Sequence, residues 1–446
     1  MKKSSLKALL AGTVAAGVMS TSAFAADLDV EPAKEYVEVG SFKGSILLPG
    51  TGVSFKVGGY AKGDVIFRFN DFGSGFGDLN ETALTGGGAF AGVGGDQTRF
   101  HAAQTRINFD ARTTTDLGSA RAFIEGDFFS FDDGAGVNES VSNSERFRLR
   151  HAFAELGVES LGGTLLIGQT WTNFGDLGSY ANTLDFNGPN AQVFIRQAQV
   201  RWTQPISDSV TLSIAAENPE ISTGLSAAIT NPGGTGLGGL LAEDSDSDGL
   251  DTFPDFTARL AAKTAFGNFS VAGLVRFLEL DTNAARAANA NGANVPVTDD
   301  STIGFGIQVA GTINVGEKDK FRFQANYGQG IGRYLQFGPN AIQIDADGDL
   351  STDDAFGITA SYQHFWSDQL QSNLVGGYTF VDNNTTSTLA PVENEEIYAA
   401  INLIYSPRSN INLGIEGNYQ RFESDNGVTD TSVDGFSLQT SLQFSF

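Results

Sequence analysis

The chain has 446 residues, with 52 acidic against 27 basic side chains, a formal net charge of −25 and no cysteine. That balance excludes nucleic acid as a partner, because phosphates need a basic surface, and the missing cysteines exclude disulfide support in an exported protein. Composition points to turns and strands rather than helices, with 55 glycines and 35 phenylalanines against two methionines.

The opening segment carries Lys2, Lys3 and Lys7, an apolar run from Ala8 to Met19, and Ala23-Phe24-Ala25. This order predicts a secretory signal peptide over residues 1–25, cut after Ala25. The run is too short for a membrane-spanning helix, which takes about 20 residues. Losing three lysines and no acid takes the mature chain from −25 to −28. Residues 26–52 read as a mostly polar periplasmic lead, with Phe42, Ile46, Leu47 and Leu48 available to brace a barrel mouth.

From residue 53 onward the pattern has period 2. In GVSFKVGGYAKGDVIFRFN, Val53, Phe55, Val57, Val65, Phe67 and Phe69 alternate with Lys56, Lys62, Asp64 and Arg68. An extended strand puts such residues on opposite faces automatically, and a helix does not. The repeats predict strands over 53–69, 104–114, 117–130, 145–157, 161–170, 194–204, 208–217, 255–264, 269–281, 302–314, 319–330, 355–365, 369–381, 395–406, 409–423 and 434–446. Connections alternate between short turns, such as 115–116 and 407–408, and long glycine-rich or acidic loops, such as 70–103 and 218–254. An even strand number with loops sorted by length predicts an all-β fold. It is a 16-stranded antiparallel transmembrane β-barrel over residues 53–446 with an inward-folded third long loop. The last strand ends on Phe446, in phase with Phe436, Leu438, Leu442 and Phe444. Such an ending resembles the signal read by the barrel-assembly machinery, which becomes an expected partner together with outer-membrane lipid and lipopolysaccharide.

A closed sheet in lipid has a greasy outside, and sixteen strands enclose water. In ERFRLRHAF (145–153), Phe147, Leu149 and Phe153 are then expected to face lipid while Arg146, Arg148 and Arg150 face the lumen. His151 falls on the outward phase, which suggests a subunit interface, and His101 lies near the outer end of its strand. The lumen phase of the first six strands carries Lys56, Lys62, Arg68, Arg106, Arg112, Arg121, Arg146, Arg148, Arg150 and Arg201, against Asp64, Asp110, Glu125 and Asp127. Arg196 is expected at the rim. Strands ten to sixteen offer mostly Gln, Asn, Ser, Thr and Gly. A basic wall selects anions, since arginine stays charged and forks onto carboxylates. The opposing expectation is that these arginines merely neutralise neighbouring acids.

The third long loop, 171–192, carries Asp176, Tyr180 and Asp185 and is expected to narrow the pore, its acids facing the basic wall. In EDSDSDGLD (243–251), Asp244, Asp246 and Asp248, followed by Asp255, approach the spacing of a calcium loop; calcium is the one cofactor the sequence raises. With three histidines and no nucleophile set, no enzyme is expected.

LPGTGVSFKVGGYAKGDVIF (48–67) resembles the opening-strand signature of DcaP-like outer-membrane porins. GQTWTNFGDLGSYANTLDFNGP with RQAQVRW (168–202) is similar to that family's third-loop and sixth-strand region. The resemblance implies a sixteen-stranded homotrimer passing small anionic solutes, dicarboxylates among them. This chain lacks the heptad-patterned N-terminal segment of some members, so no coiled coil is implied. The competing readings are a cation-preferring diffusion porin ruled by the acidic loops, an outer-membrane enzyme, and a calcium-dependent structural or adhesive barrel.

Overall fold

The computed structural model describes residues 38–69, 96–129, 146–220, 250–279, 301–336, 342–344, 349–383, 392–425 and 430–446. The wall strands are β1 Ser54–Phe69, β2 in two segments (Gln97–His101 and Arg106–Thr115), β3 Gly118–Asp127, β4 Arg148–Val158, β5 Gly163–Trp171, β6 Arg196–Pro205, β7 Val210–Glu217 and β8 Asp255–Thr264. They continue as β9 Gly267–Glu279, β10 Ser301–Val315, β11 Asp319–Gln329, β12 Asp354–Phe365, β13 Leu370–Asn383, β14 Val392–Arg408, β15 Ile411–Asp425 and β16 Asp430–Ser445. Each pairs antiparallel with its neighbours, and β16 returns to β1 from Tyr60↔Ser445 to Phe69↔Phe436. The sheet therefore closes as a sixteen-stranded barrel with no free edge.

Its two faces have opposite chemistry. Outward positions carry exposed Val57, Ile124, Val200, Ile214, Leu260, Ile307, Leu374, Ile401 and Leu442. Inward positions carry buried Gln308, Gln324, Asn326, Asn373, Gln420 and Gln439. A soluble protein would reverse this arrangement, whereas a barrel in lipid requires it. The polar inward set of the later strands matches the expectation.

Two local breaks in the pattern escaped the period-2 reading. Gln97–His101 extends β2, pairing with Asp64–Arg68, although residues 70–103 read as loop. A tight turn, Thr105 N to Ala102 O at 2.9 Å, interrupts the strand and its alternation. On β4, Glu125 pairs with His151 and Gly126 with Leu149, so Arg150 is an extra residue, a β-bulge. One inserted residue reverses the parity of everything beyond it. Phe147 and Leu149 face outward as expected, at 57% and 49% exposure. His151 and Phe153 do not. His151 is buried on the inner side with its Nδ1 3.0 Å from Thr170 Oγ1. Phe153 stands opposite Phe123, 5.6 Å between ring centroids, under the guanidinium of Arg121. A lipid-facing or interfacial His151 is thereby excluded. Gly126 makes the bulge possible, because a Cβ there would come 2.1 Å from the Phe147 ring.

Before β1, the lead folds back on itself through a Val39–Ile46 bridge, and Ile46–Leu47 pairs with Ser54 and Phe55. Phe42 lies 4.3 Å from the Arg112 guanidinium, so part of the lead touches the lumen wall.

Candidate channel lining

The register places nine basic side chains on the inner face of β1–β4: Lys56, Lys62, Arg68, Arg99, Arg106, Arg112, Arg121, Arg148 and Arg150. Five acids share that face, Asp64, Asp110, Glu125, Asp127 and Glu155, leaving an excess of four positive charges, nine against five. Arg201 faces inward on β6, and Arg146 sits exposed just before β4.

Most of these acids are shared between two arginines. Asp110 meets Arg112 at 2.7 Å and Arg121 at 3.0 Å, and Arg121 also reaches Glu155 at 3.3 Å. Glu125 meets Arg106 at 3.4 Å and Arg150 at 3.0 Å. Asp127 meets Arg148 at 2.7 Å and Arg150 at 2.8 Å. Neutralisation by neighbours is thus real but incomplete. Exposure separates the arginines by role. The Arg112, Arg121, Arg148 and Arg106 side chains keep 42%, 29%, 25% and 20% of their surface open, while Arg150 keeps 3%. Arg150 is a strut between two carboxylates; the other four present charge to water. Lys62 is likewise engaged, bonded to Asp64 at 3.2 Å, Gln104 at 2.6 Å and the Leu184 carbonyl at 2.8 Å. Arg196 lies 4.4 Å above the Trp171 ring at the start of β6, beside the long segment as expected.

That segment, 172–195, bonds to inward-phase groups on strand after strand. Asn173 N donates to Glu217 on β7 at 2.8 Å, and Arg259 on β8 donates to the Gly175 carbonyl at 2.9 Å. Thr312 on β10 and Asn326 on β11 donate to the Gly178 and Ala191 carbonyls at 2.6 and 2.7 Å. Asn190 reaches Thr379 on β13 at 2.9 Å. Glu416 on β15 accepts from Leu184 N and Asp185 N at 2.7 and 2.9 Å. Gln439 on β16 joins Lys62 on the Leu184 carbonyl at 3.1 Å.

Of the segment's own acids, Asp176 is placed differently from expectation. Asp176 caps its own turn through Gly178 N at 2.9 Å and accepts from Ser270 on β9 at 2.6 Å, so it is turned toward β9 rather than toward the arginines. Asp185 is buried, 3.1 Å from Asn187 N and 3.3 Å from Tyr398 Oη on β14. Tyr180 donates to the Val193 carbonyl and packs on Trp171 and Phe194; burial pushes its phenol up. Phe186 meets the basic wall, 5.2 Å from Arg148, 5.5 Å from Arg150 and stacked 4.2 Å from Phe129, next to the Leu184 carbonyl that accepts from Lys62.

Glu217, Arg259, Arg276, Glu396 and Glu416 went unselected in the sequence, although period 2 assigns each of them to the inner face. Among the calcium candidates, Asp244, Asp246 and Asp248 lie outside the described residues. Asp255 opens β8, buried, with Arg276 Nε at 3.1 Å and Tyr334 Oη at 2.9 Å. Among the described residues no cluster of three metal-ligating groups occurs.

A closed barrel that is apolar outside and charged within is a transmembrane barrel of the bacterial outer-membrane type. A family model described as the porin subfamily matches residues 26–445, and the chain belongs to that family. Solved structures share the fold. The outer-membrane channel DcaP of Acinetobacter baumannii is 21% identical, with 92% of this chain and 100% of that one covered and a TM-score of 0.70. OmpT of Vibrio cholerae in its trimer form is 11% identical, with 89% and 100% covered and a TM-score of 0.53. Salmonella typhi OmpF in complex with daunomycin is 11% identical, with 90% and 99% covered and a TM-score of 0.51. No curated protein matches. The chain is thus an outer-membrane porin for diffusion of small solutes.

Proposed function

We propose that this porin prefers small anions, dicarboxylates among them, and that residues 172–195 fold into the lumen and force solutes past the arginines. The observation that carries the reading is the excess of basic groups on β1–β4, with Arg106, Arg112, Arg121 and Arg148 open to water. Arg106 and Arg112 are six residues apart on β2, on the order of 20 Å along an extended strand. That is too far for one small dicarboxylate to bridge, so the arginines act as successive stations. Binding at each must be strong enough to attract and weak enough to release. The test is the reversal potential in a salt gradient. The Arg112→Gln, Arg121→Gln double variant is expected to lose anion preference by about threefold in permeability ratio. An unchanged ratio, or cation preference in the parent channel, ends this reading.

The same reading includes a homotrimer, a form in which Vibrio cholerae OmpT was solved. Its support is the outer face of β2–β5, where Ala111, Ala120, Ala122 and Ala154 form a shallow groove with Leu165 and Ile167. Small side chains allow close approach of a second copy, whereas the outer faces of β9–β16 carry bulky residues. A cysteine at Ala122 or Ala154 should give inter-subunit cross-links in membranes, while one at Ile401 should not. Equal yields would place the interface elsewhere.

A further inference from the structure

Among the inward glycines, five line one side beneath another stretch of chain: Gly306 on β10, Gly328 on β11, Gly357 on β12, Gly377 on β13 and Gly414 on β15. Each lies beneath an overlying chain. A Cβ would come 2.8 Å from Ile331 Cγ2 at Gly306 and 2.4 Å from the same atom at Gly328. It would come 2.7 Å from Ala191 Cβ at Gly357, 2.4 Å from Asn190 Oδ1 at Gly377 and 2.6 Å from Leu184 Cδ2 at Gly414. Contacts under 3.0 Å force something to move. Gly376, next in the chain but on the outward phase, has nothing within 4 Å.

What lies over this bed is held firmly. Ala191 has a φ of 67°, the sole positive value outside glycine among the described residues. Left-handed backbone brings an alanine's Cβ too close to the following carbonyl and persists only where the surroundings enforce it. The Asn326 bond to its carbonyl and the recess above Gly357 hold it there. A second segment, Ile331–Gln336 between β11 and β12, clamps the first. Leu335 bridges Val193, Phe194 N donates to the Tyr334 carbonyl at 3.2 Å and Gln336 N to the Gln192 carbonyl at 2.8 Å. Phe174, Val193, Ile331, Tyr334 and Leu335 form a buried cluster against Leu274, Ala355 and Val381 of the wall. One side of the lumen thus carries a dry core.

We propose that the glycine bed and the 331–336 clamp set the bore of the channel, seating residues 172–195 low against β10–β15 so that the open path runs along the arginines. This rests on the reading that 172–195 constricts the lumen. Valine at an inward glycine would lift that segment toward the arginines. In planar bilayers, Gly357→Val and Gly377→Val should each lower single-channel conductance by about half, with Gly376→Val at the wild-type level. Wild-type or raised conductance in both inward variants overturns the proposal. Should valine block assembly, judged by heat-modifiable migration, Gly357→Ala and Gly377→Ala carry the same test with the same direction.

A second measurement separates this claim from the constriction itself. The chain has no cysteine, so an Ala191→Cys, Gly357→Cys pair reports one contact. A small shift brings the two Cβ atoms to the roughly 3.8 Å a disulfide needs. Bond formation on oxidation places the segment on its bed. An assembled barrel that fails to form the bond breaks the constriction reading, and with it this proposal. A bond that forms beside unaltered conductance in the glycine variants breaks only the claim about bore.

Discussion

The wall of β1–β4 and the wall of β9–β15 follow one rule of alternation and use it differently. On the first, inward groups are long and cationic, and four arginines keep part of their surface in water. On the second, glycines, amides and hydroxyls, with a few buried charges such as Glu416 and apolar groups such as Leu274, bond to or pack under another stretch of chain. Within the basic wall the same division recurs between Arg148 and Arg150, with 25% and 3% of their side chains open. Charge on an inner face is therefore not equivalent to charge available to a solute. A shared, buried guanidinium supports the wall, and under the proposed function an exposed one acts on what passes.

Arg150→Ala should produce the largest effect on stability. Breaking a buried ion pair costs about 3–5 kcal/mol when a charge is left uncompensated. Here Glu125 retains Arg106 at 3.4 Å and Asp127 retains Arg148 at 2.7 Å, so the lower end, about 3 kcal/mol, is expected. A urea titration in lipid should detect this as an earlier midpoint, with reversal potential nearly unaltered. A selectivity change as large as that of the Arg112, Arg121 pair would erase the distinction between strut and station.

Much of this was readable from residue order. Period 2 located the strands, and it put Arg106, Arg112, Arg121 and Arg148 on the wet side, because the pleat leaves no choice. It failed just beyond Arg150, for His151 and Phe153, since RLRHAF fits either parity and only the Glu125–His151 and Gly126–Leu149 pairings locate the extra residue. It failed for Asp176 too. Which wall a loop side chain meets depends on the path of the loop, and that path is decided by distant partners such as Ser270 and Glu416. The inward glycines were visible as residues, but their purpose lies in what covers them.

Glu416 offers the smaller and more local test of the second wall. Its carboxylate accepts from two successive backbone N–H groups, Leu184 and Asp185, and from Asn402 Nδ2 at 2.8 Å. Replacement by alanine leaves these three buried donors without that acceptor, a cost of about 2 kcal/mol or more. Lys62 and Gln439 still hold the Leu184 carbonyl, so the barrel should assemble normally. The segment would then sample positions away from β15, which a planar bilayer records as added noise in the open-channel current at nearly unchanged anion preference. Quiet current in Glu416→Ala would mean that the amide contacts at Asn190 and Asn326 alone hold the segment, and that the far wall works through its glycines and amides rather than its buried carboxylate.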